Sequence, residues 1–437
     1  MRSSTLDQMA DALQRGVEQA QQRGASAAKI RFRQWESNGC SFENGRLKEA
    51  SASEGLAFDI EVVVDGRKVS VTGNNVDDLR EMVERAVTLA SMGSVAHFDA
   101  YPAPAPVPEV KTFSERAASL PREQMIEGCQ GIVDALKRYA PDLFIGAGSG
   151  RHRAESLLVT SGGVCHRACE TGWGLGAHVQ RTRGTDMLMT GYWRGWKDLN
   201  ELWDPAWITN RILEDLRNGE PIVEAPTGKT TVLLPPEAVS MFLMPITMGV
   251  NGRNVAKGES PLRGRLGEQI LDPSITLVDN PHVDFANGAT EMDADGVPTR
   301  VNTLFRAGVL ERFLYDLDTA AMVGAEPTGN NGCSPYFLEL APGPQTSDAL
   351  LAGIEDGLYV KSLIGFGQSN MMNGDVAGNV ALGFRIRGGK LTGRVKNTMI
   401  AGNVYDLLRA NVRLSADRDP VLHMPYAVIE GVSVSAT

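Results

Sequence analysis

The chain has 437 residues, of which 42% are hydrophobic and 22% charged, and its formal net charge is −10. This length exceeds what one hydrophobic core usually supports, so we expect two domains. The excess of acidic over basic residues is spread along the sequence. It argues against a nucleic-acid-binding groove, which needs a clustered basic face. No run of about 18 apolar residues occurs, which argues against a membrane-spanning helix.

The cysteines and the first residues predict the compartment. Five cysteines are an odd number in a long chain, and they do not resemble a disulfide framework, so reduced thiols are expected. Residues 3–8 carry no apolar core of a signal peptide. Together these features predict a soluble cytoplasmic protein.

The first hundred residues predict a compact α+β unit. Apolar residues recur at steps of three and four over residues 6–20 and again over 76–92, which predicts two amphipathic helices. Between them the pattern changes to period two, with Asn44-Gly45 and Asp65-Gly66 as hairpin turns. Helix, antiparallel strands and helix compose a first domain over residues 1–100.

Four prolines at alternate positions mark residues 101–110. They stiffen the chain into an extended, polyproline-like segment. The sequence alone leaves open whether this segment links two domains or lies as a strap along the surface.

The α+β pattern continues over residues 111–222, and a β-rich pattern follows over 223–437. Helices are predicted at 122–139 and 208–218. Beyond residue 223 helical patterning is short, and strands dominate, with predicted strands at 230–234, 309–315, 358–364, 381–386 and 391–395. The predicted fold class is α+β: an N-terminal helix and antiparallel-sheet domain followed by a glycine-rich, mainly antiparallel β domain.

Cys165, His166 and Cys169 superficially resemble a zinc motif. Glycines surround this segment, which favours a strand, and residues four apart on a strand lie about 13 Å from each other. That distance is too long for two ligands of one ion, so structural thiols are the better interpretation.

Two glycine-containing runs superficially resemble phosphate loops. Residues 226–230 end in Gly-Lys-Thr as a P-loop does, but Val223 stands where the motif needs a glycine. Residues 365–370 lack the third glycine of a dinucleotide fingerprint. Neither run predicts a nucleotide site.

Acidic residues close to His282 provide the remaining candidate for a metal or acid–base site. His282 lies between Asp279 and Asp284, and the loop with Asp293 and Asp295 has calcium-like spacing but no closing glutamate. A solvated loop histidine and a solvated turn are the plainer interpretations.

The order of short segments along nearly the whole chain resembles the TldD/PmbA family, long described as modulators of DNA gyrase. The similar segments are residues 42–47, 65–67, 226–229, 293–299, 319–321, 328–330, 373–375 and 400–403. Each is weak alone, whereas their order and spacing are together specific.

The resemblance implies that the family's metal site is lost here. Metal-bearing members carry H-E-x-x-x-H on a helix, in which two imidazoles hold zinc and the glutamate activates water. The aligned segment has Pro236 and Met241 at the histidine positions and retains Glu237. The family's late cysteine ligand is also missing, since no cysteine follows Cys333. Without a Lewis acid, the pKa of water stays far above the value of about 7 that a bound zinc produces, so no catalytic residue and no metal ligand are assigned to this chain.

A chain without these zinc ligands resembles the PmbA/TldE branch of the family, whose members pair with a metal-bearing TldD-like subunit. The resemblance implies a heteromeric peptidase that cleaves or trims unfolded peptides, with zinc expected only in the partner subunit; a homodimer also remains open. Extended peptide could add to a sheet edge. Four polar residues are candidates for the peptide cleft, with turn chemistry as the alternative: Asn330, Asn370, Asp375 and Asn403.

Two other functions remain open from the sequence. One is a free-standing metal-dependent hydrolase, with His282, Asp284, Asp293 and Asp295 as the candidate cluster. The other is a binding protein that modulates gyrase or a toxin system. Bound metal in the isolated protein would favour the first.

Overall fold

Two seven-stranded sheets and one four-stranded sheet organise the chain. The computed structural model describes residues 3–436, with side chains from Asp7 onward. Within this part of the chain, no helix is both long enough and apolar enough to cross a bilayer.

The first sheet takes its strands from residues 27–196 and runs in the order β4-β3-β2-β1-β5-β6-β7, with every pair antiparallel. In chain order its elements are α1 (Ser3–Gln22), β1 (Ala27–Glu43), β2 (Arg46–Val64), β3 (Arg67–Gly73), α2 (Leu79–Leu89), β4 (Ser94–Val95), α3 (Glu115–Ala118), α4 (Arg122–Tyr139), β5 (Phe144–Thr160), β6 (Cys165–Arg183), β7 (Asp186–Trp196) and α5 (Pro205–Asn218).

Two tight turns set the register of the first three strands. Asn44 and Gly45 both have positive φ, at 48° and 74°, and Asp65 and Gly66 have 49° and 68°. Positive φ at both central residues is the geometry of a type I′ hairpin turn, which asparagine, aspartate and glycine tolerate best. The two hairpins predicted from the sequence are therefore formed.

Helices cover the N-terminal sheet in two groups. Helices α1 and α2 pack against one half, where Leu13, Phe32 and Val83 are fully buried. Helices α4 and α5 pack against the other half, around Ile132 and Ile212. The apolar stripes of these helices account for this packing, since each buries one face and leaves the other to solvent.

The proline-rich segment 101–110 has no regular secondary structure. Strand β1 precedes it and β5 follows it, yet these two strands are neighbours in one sheet, with Phe32 opposite Leu157. The Tyr101 hydroxyl donates to Glu61 Oε1 at 2.7 Å. The segment thus joins two halves of one sheet and is fixed to it where it begins.

The C-terminal part contains a second large sheet and the four-stranded sheet. In chain order its elements are β8 (Gly228–Leu234), α6 (Pro236–Phe242), α7 (Met244–Val250), α8 (Gly252–Ala256), β9 (Leu277–Asp279), β10 (Asn302–Arg306), β11 (Val309–Leu310), α9 (Leu317–Val323), β12 (Leu338–Leu340), α10 (Ser347–Ala352), β13 (Asp356–Ile364), β14 (Asp375–Arg387), β15 (Lys390–Arg394), β16 (Thr398–Asn403), α11 (Val404–Leu407), β17 (Arg413–Arg418) and β18 (Pro425–Ala436).

Five strands of the second large sheet close into a barrel. The order β13-β8-β18-β16-β14 returns to its start because β13 also pairs with β14. Strands β15 and β17 attach to β14 and β18. Among the described strand pairs of this sheet, β13–β8 alone is parallel. The predicted α+β class with a mainly antiparallel C-terminal part is confirmed.

Candidate functional site

Helix α6 begins two residues after the end of β8 and contains the segment in which the resemblance predicts that a zinc motif is lost. Pro235 precedes the helix and Pro236 occupies its first position, where a proline's fixed φ is tolerated. Pro236 is buried, and Met241 packs partly buried against the C-terminal core. Proline has no side-chain ligand atom and a thioether is a poor zinc ligand, so these residues do not fit the metal.

Glu237 lies beside them in a partly buried environment. Burial raises the pKa of its carboxyl, and the negative charge of Asp419 adds to the rise. Lys361 and Arg211 oppose the rise through their positive charges. The charged neighbours of Glu237 are therefore one carboxylate and two cationic side chains, where the metallopeptidase arrangement requires imidazoles and zinc.

Lys361 projects from β13 into the contact between the two parts of the chain. Its ammonium group forms an ion pair with Asp215 of α5 and donates to Thr190 Oγ1 of β7 at 2.7 Å. It also lies 3.7 Å from the ring centroid of Tyr192. Both members of the pair are only 8% exposed, and burial lowers the pKa of Lys361.

Two arginines complete this buried cluster. Arg211 donates to the Tyr426 hydroxyl at 3.3 Å. The Arg194 guanidinium lies 3.4 Å from a ring centroid of Trp207 and 4.0 Å from Asp419 Oδ2. Planar guanidinium groups stack well on aromatic faces, so the arginines fill the space between N-terminal and C-terminal elements.

The donor set around α6 does not fit zinc. Throughout residues 3–436, no three His, Cys, Asp or Glu side chains lie close enough together to hold a metal ion. Lys361 and Arg211 act on the Glu237 carboxyl through their positive charges, which would repel a further cation there. Contacts of Lys361 with Asp215 and of Arg211 with Tyr426 join N-terminal and C-terminal elements at this place.

The four predicted cleft residues fall into two places. Asn403 donates to Asp375 Oδ1 at 3.0 Å, and the amide of Asp375 donates to the carbonyl of Asn370, so these three form one group at the ends of β14 and β16. Asn330 lies elsewhere and is 1% exposed; it donates to Asp279 Oδ2 at 2.7 Å. Asn330 is thus a buried residue that hydrogen-bonds to β9 and does not lie with the other three.

The alternative metal cluster is not brought together. His282 Nε2 lies 3.0 Å from Thr299 Oγ1, and Asp284 accepts from the amide of Lys111. Asp293 accepts from the amides of Asp295 and Val297. Asp295 itself pairs with Lys29. Among the described residues, these four side chains do not form a group of three or more that could hold a metal ion.

A cavity of about 270 Å³ lies between the face of the N-terminal sheet and the loop 287–294. Among its lining residues, Asp293 is 4% exposed, and its Oδ2 is buried without a hydrogen-bond partner among the described residues. Burial raises the pKa of Asp293 to about 7, and the charge of Asp295 adds to the rise. The carboxyl is therefore partly protonated at neutral pH.

Sequence patterns did not reveal the Lys361 cluster. Lys361 and Asp215 are 146 residues apart, and nothing local couples them. The available signal was a lysine inside the apolar strand prediction 358–364, where a buried charge requires a partner. The sequence contains no pattern that says which carboxylate is that partner.

Two family models match the chain. The C-terminal domain of the PmbA/TldA metallopeptidases matches residues 227–436, and their domain 1 matches residues 28–90. Together they cover more than half of the chain. The chain belongs to the PmbA/TldD metallopeptidase family.

Curated relatives in the PmbA/TldD family align with part of the chain. A metalloprotease of Methanothermobacter thermautotrophicus is 31% identical over 193 residues, which is 42% of each protein. The TldD homologue of Haemophilus influenzae is 27% identical over 45% of this chain and 42% of its own length. Metalloprotease PmbA of Escherichia coli O157:H7 is 25% identical over 61% and 58%. The chain thus aligns with about half the length of these relatives.

Solved structures of PmbA/TldD type superpose over nearly the whole chain. TldE from Thermococcus kodakarensis has a TM-score of 0.90 at 21% identity, covering 97% of this chain and 100% of its own. A Bacteroides thetaiotaomicron protein described as a candidate modulator of DNA gyrase has a TM-score of 0.87 at 25% identity, covering 98% of both. The superposition on TldE establishes that the two proteins share one fold.

Proposed function

We propose that this chain is a non-catalytic subunit of a heteromeric peptidase and pairs with a metal-bearing member of its family. Pro236 and Met241 at the two histidine positions carry the proposal, because neither can replace an imidazole on zinc. The two cationic neighbours of Glu237, Lys361 and Arg211, support it. In this account zinc is held by the partner subunit alone.

The names of the relatives support a paired assembly. They include a TldD homologue from Haemophilus influenzae and a structure called TldE from Thermococcus kodakarensis. A chain that keeps the family fold without ligand residues gains a role when a second subunit supplies the metal. We therefore assign the partner to the TldD-like side of the family and the present chain to the TldE-like side.

Unfolded peptides are the proposed substrates of the complex. Residues 46–57 of β2 pair with β1 alone among the described strands, whereas β3 pairs with β2 only from Phe58 onward. An open edge of this kind can add an extended peptide through backbone hydrogen bonds, which do not depend on sequence. Asn370 and Asp375 are exposed and remain candidates for further peptide contacts.

Zinc analysis of the purified chain tests its non-catalytic character. After dialysis against a chelator and re-addition of zinc, we expect far less than one zinc per chain, because the donor set is absent. The metal-bearing relative, treated identically, is expected to recover about one zinc per chain. The Glu237→Gln variant serves as a matched control and should not change the zinc content. One tightly held zinc per chain in the wild type would overturn the assignment.

A further inference from the structure

Two buried cysteines from different elements of the N-terminal unit are in direct contact. Cys40 lies in β1 and Cys129 in α4, 89 residues apart, and their sulfur atoms are 3.9 Å from each other. Cys40 is 6% exposed and Cys129 is fully buried. A disulfide has a sulfur–sulfur distance of about 2.05 Å, so the sulfurs need to approach by about 2 Å.

The surroundings of Cys40 favour its thiolate. The hydrogen bond shared with Cys129 lowers the pKa of Cys40 to about 7, with further lowering by the backbone amide of Ser149 and the charge of Arg122, while burial opposes the change. Arg122 donates to Asn38 Oδ1 at 3.1 Å, and its Nε is buried without a partner in the part of the chain that the structure describes. A thiolate is the nucleophilic form of cysteine, and a nearby cation stabilises it.

The other three cysteines lack such a pair. Cys165 and Cys169 are four residues apart on strand β6, a separation of about 13 Å that no disulfide spans. Cys333 is buried, and its sulfur accepts from the amide of Asp316 at 3.2 Å. Burial raises the pKa of both Cys169 and Cys333. Cys40 and Cys129 are therefore the pair whose sulfurs lie close enough to crosslink, whereas Cys165 is an exposed single thiol.

We propose that Cys40 and Cys129 form a reversible disulfide when the protein meets a hydroperoxide. The Cys40 thiolate attacks the peroxide oxygen–oxygen bond and becomes a sulfenic acid, releasing hydroxide, which takes up a proton as water. The Cys129 sulfur then attacks the sulfenic sulfur, loses its proton, and a second water leaves. Two thiols and one hydrogen peroxide thus give one disulfide and two waters. A dithiol reductant reverses the change.

The bond would connect the β1–β2 hairpin to helix α4. These elements already pack together, since Cys40, Phe42 and Cys129 belong to one buried cluster. A crosslink that closes a long loop restricts the unfolded chain more than the native one. The oxidised protein is therefore expected to unfold at a higher denaturant concentration than the reduced protein.

Mass spectrometry of the intact wild-type chain tests the proposal. Treatment with a small excess of hydrogen peroxide is expected to lower the mass by about 2 Da, to reduce the five titratable thiols to three, and to join the tryptic peptides 34–46 and 123–137. Dithiothreitol should restore all five thiols.

Single-cysteine variants distinguish this pair from general oxidation. Cys40→Ser and Cys129→Ser should each lose the crosslinked peptides, whereas the exposed-thiol control Cys165→Ser should still form them. Five surviving thiols in the folded wild type under peroxide, or a disulfide between any other pair, would overturn the proposal. Because the wild-type measurement is decisive alone, a variant that fails to fold does not obstruct the test.

Discussion

Replacing Lys361 with methionine is expected to lower the free energy of unfolding by about 3–5 kcal/mol. The ammonium group is the ion-pair partner of Asp215, and both side chains are 8% exposed. Methionine leaves the Asp215 carboxylate buried, and the Thr190 hydroxyl, 2.5 Å away, is then its remaining side-chain donor among the described residues. An uncompensated buried charge costs far more than the lost contact itself. Urea unfolding followed by circular dichroism measures the change.

A double variant separates the pair from simple packing. Lys361→Met combined with Asp215→Asn should cost about 1–3 kcal/mol less than the sum of the two single changes, because the second change removes the orphaned charge. Arg23→Met is the exposed control: Arg23 pairs with Glu84 at 2.6 Å while 46% exposed, and its loss should cost about 0–1 kcal/mol. Strict additivity of the Lys361 and Asp215 effects would contradict the account of this cluster.

Asp293→Asn is expected to stabilise the protein at pH 8 and to have little effect near pH 3. Burial raises the pKa of Asp293 from 3.8 to about 7, so the folded state binds this proton more tightly than the unfolded state. Wild-type stability should therefore fall as pH rises from about 4 to about 7, by up to about 4 kcal/mol for this group. Asparagine removes the ionisation and keeps the oxygen that accepts from the amides of Asp295 and Val297.

Unfolding midpoints of both proteins between pH 3 and pH 9 test this sign. The Asp293→Asn curve should lie above the wild-type curve above pH 7 and meet it in acid. Asp284→Asn is the matched control, because Asp284 is exposed and pairs with Lys111 at the surface. A difference between wild type and Asp293→Asn that is constant over the whole range would show that Asp293 is not neutralised by burial.

Local sequence signals predicted the N-terminal elements well. Helix α4 covers 122–139 as its apolar periodicity indicated, because one helix face is buried along its whole length. The turns at Asn44-Gly45 and Asp65-Gly66 require positive φ, a constraint that these residues reveal directly. Such features depend on neighbours in sequence.

Long-range pairing limited the prediction of the C-terminal part. The strand expected at 309–315 is only Val309–Leu310, because Leu314 instead exchanges backbone hydrogen bonds with Val250 and Gly252. Closure of the barrel depends on β13 pairing with both β8 and β14, which no local pattern specifies. The short helices that follow β8 were also too brief for a clear periodicity.

In the candidate site, too, some features could be predicted from the sequence and others depend on tertiary packing. Pro236 and Met241 follow the recognisable strand β8, and their assignment to the family's two histidine positions stays a prediction from the sequence. The contact of Lys361 with Asp215 and the burial of Asn330 depend on tertiary packing. The proximity of Cys40 and Cys129 likewise arises only when α4 packs on β1. Residue chemistry was predictable, whereas the partners of buried polar groups were not.

Titration of a metal-bearing relative from the same cell with this chain tests the central claim most directly. The account predicts that hydrolysis of an unfolded peptide is negligible for this chain alone, rises as it is added to the relative, and reaches a plateau at equimolar amounts. The Glu237→Gln variant should give the same plateau, because Glu237 acts on no metal. Peptide hydrolysis by the isolated chain, or a relative whose activity is unchanged by its addition, would contradict the account.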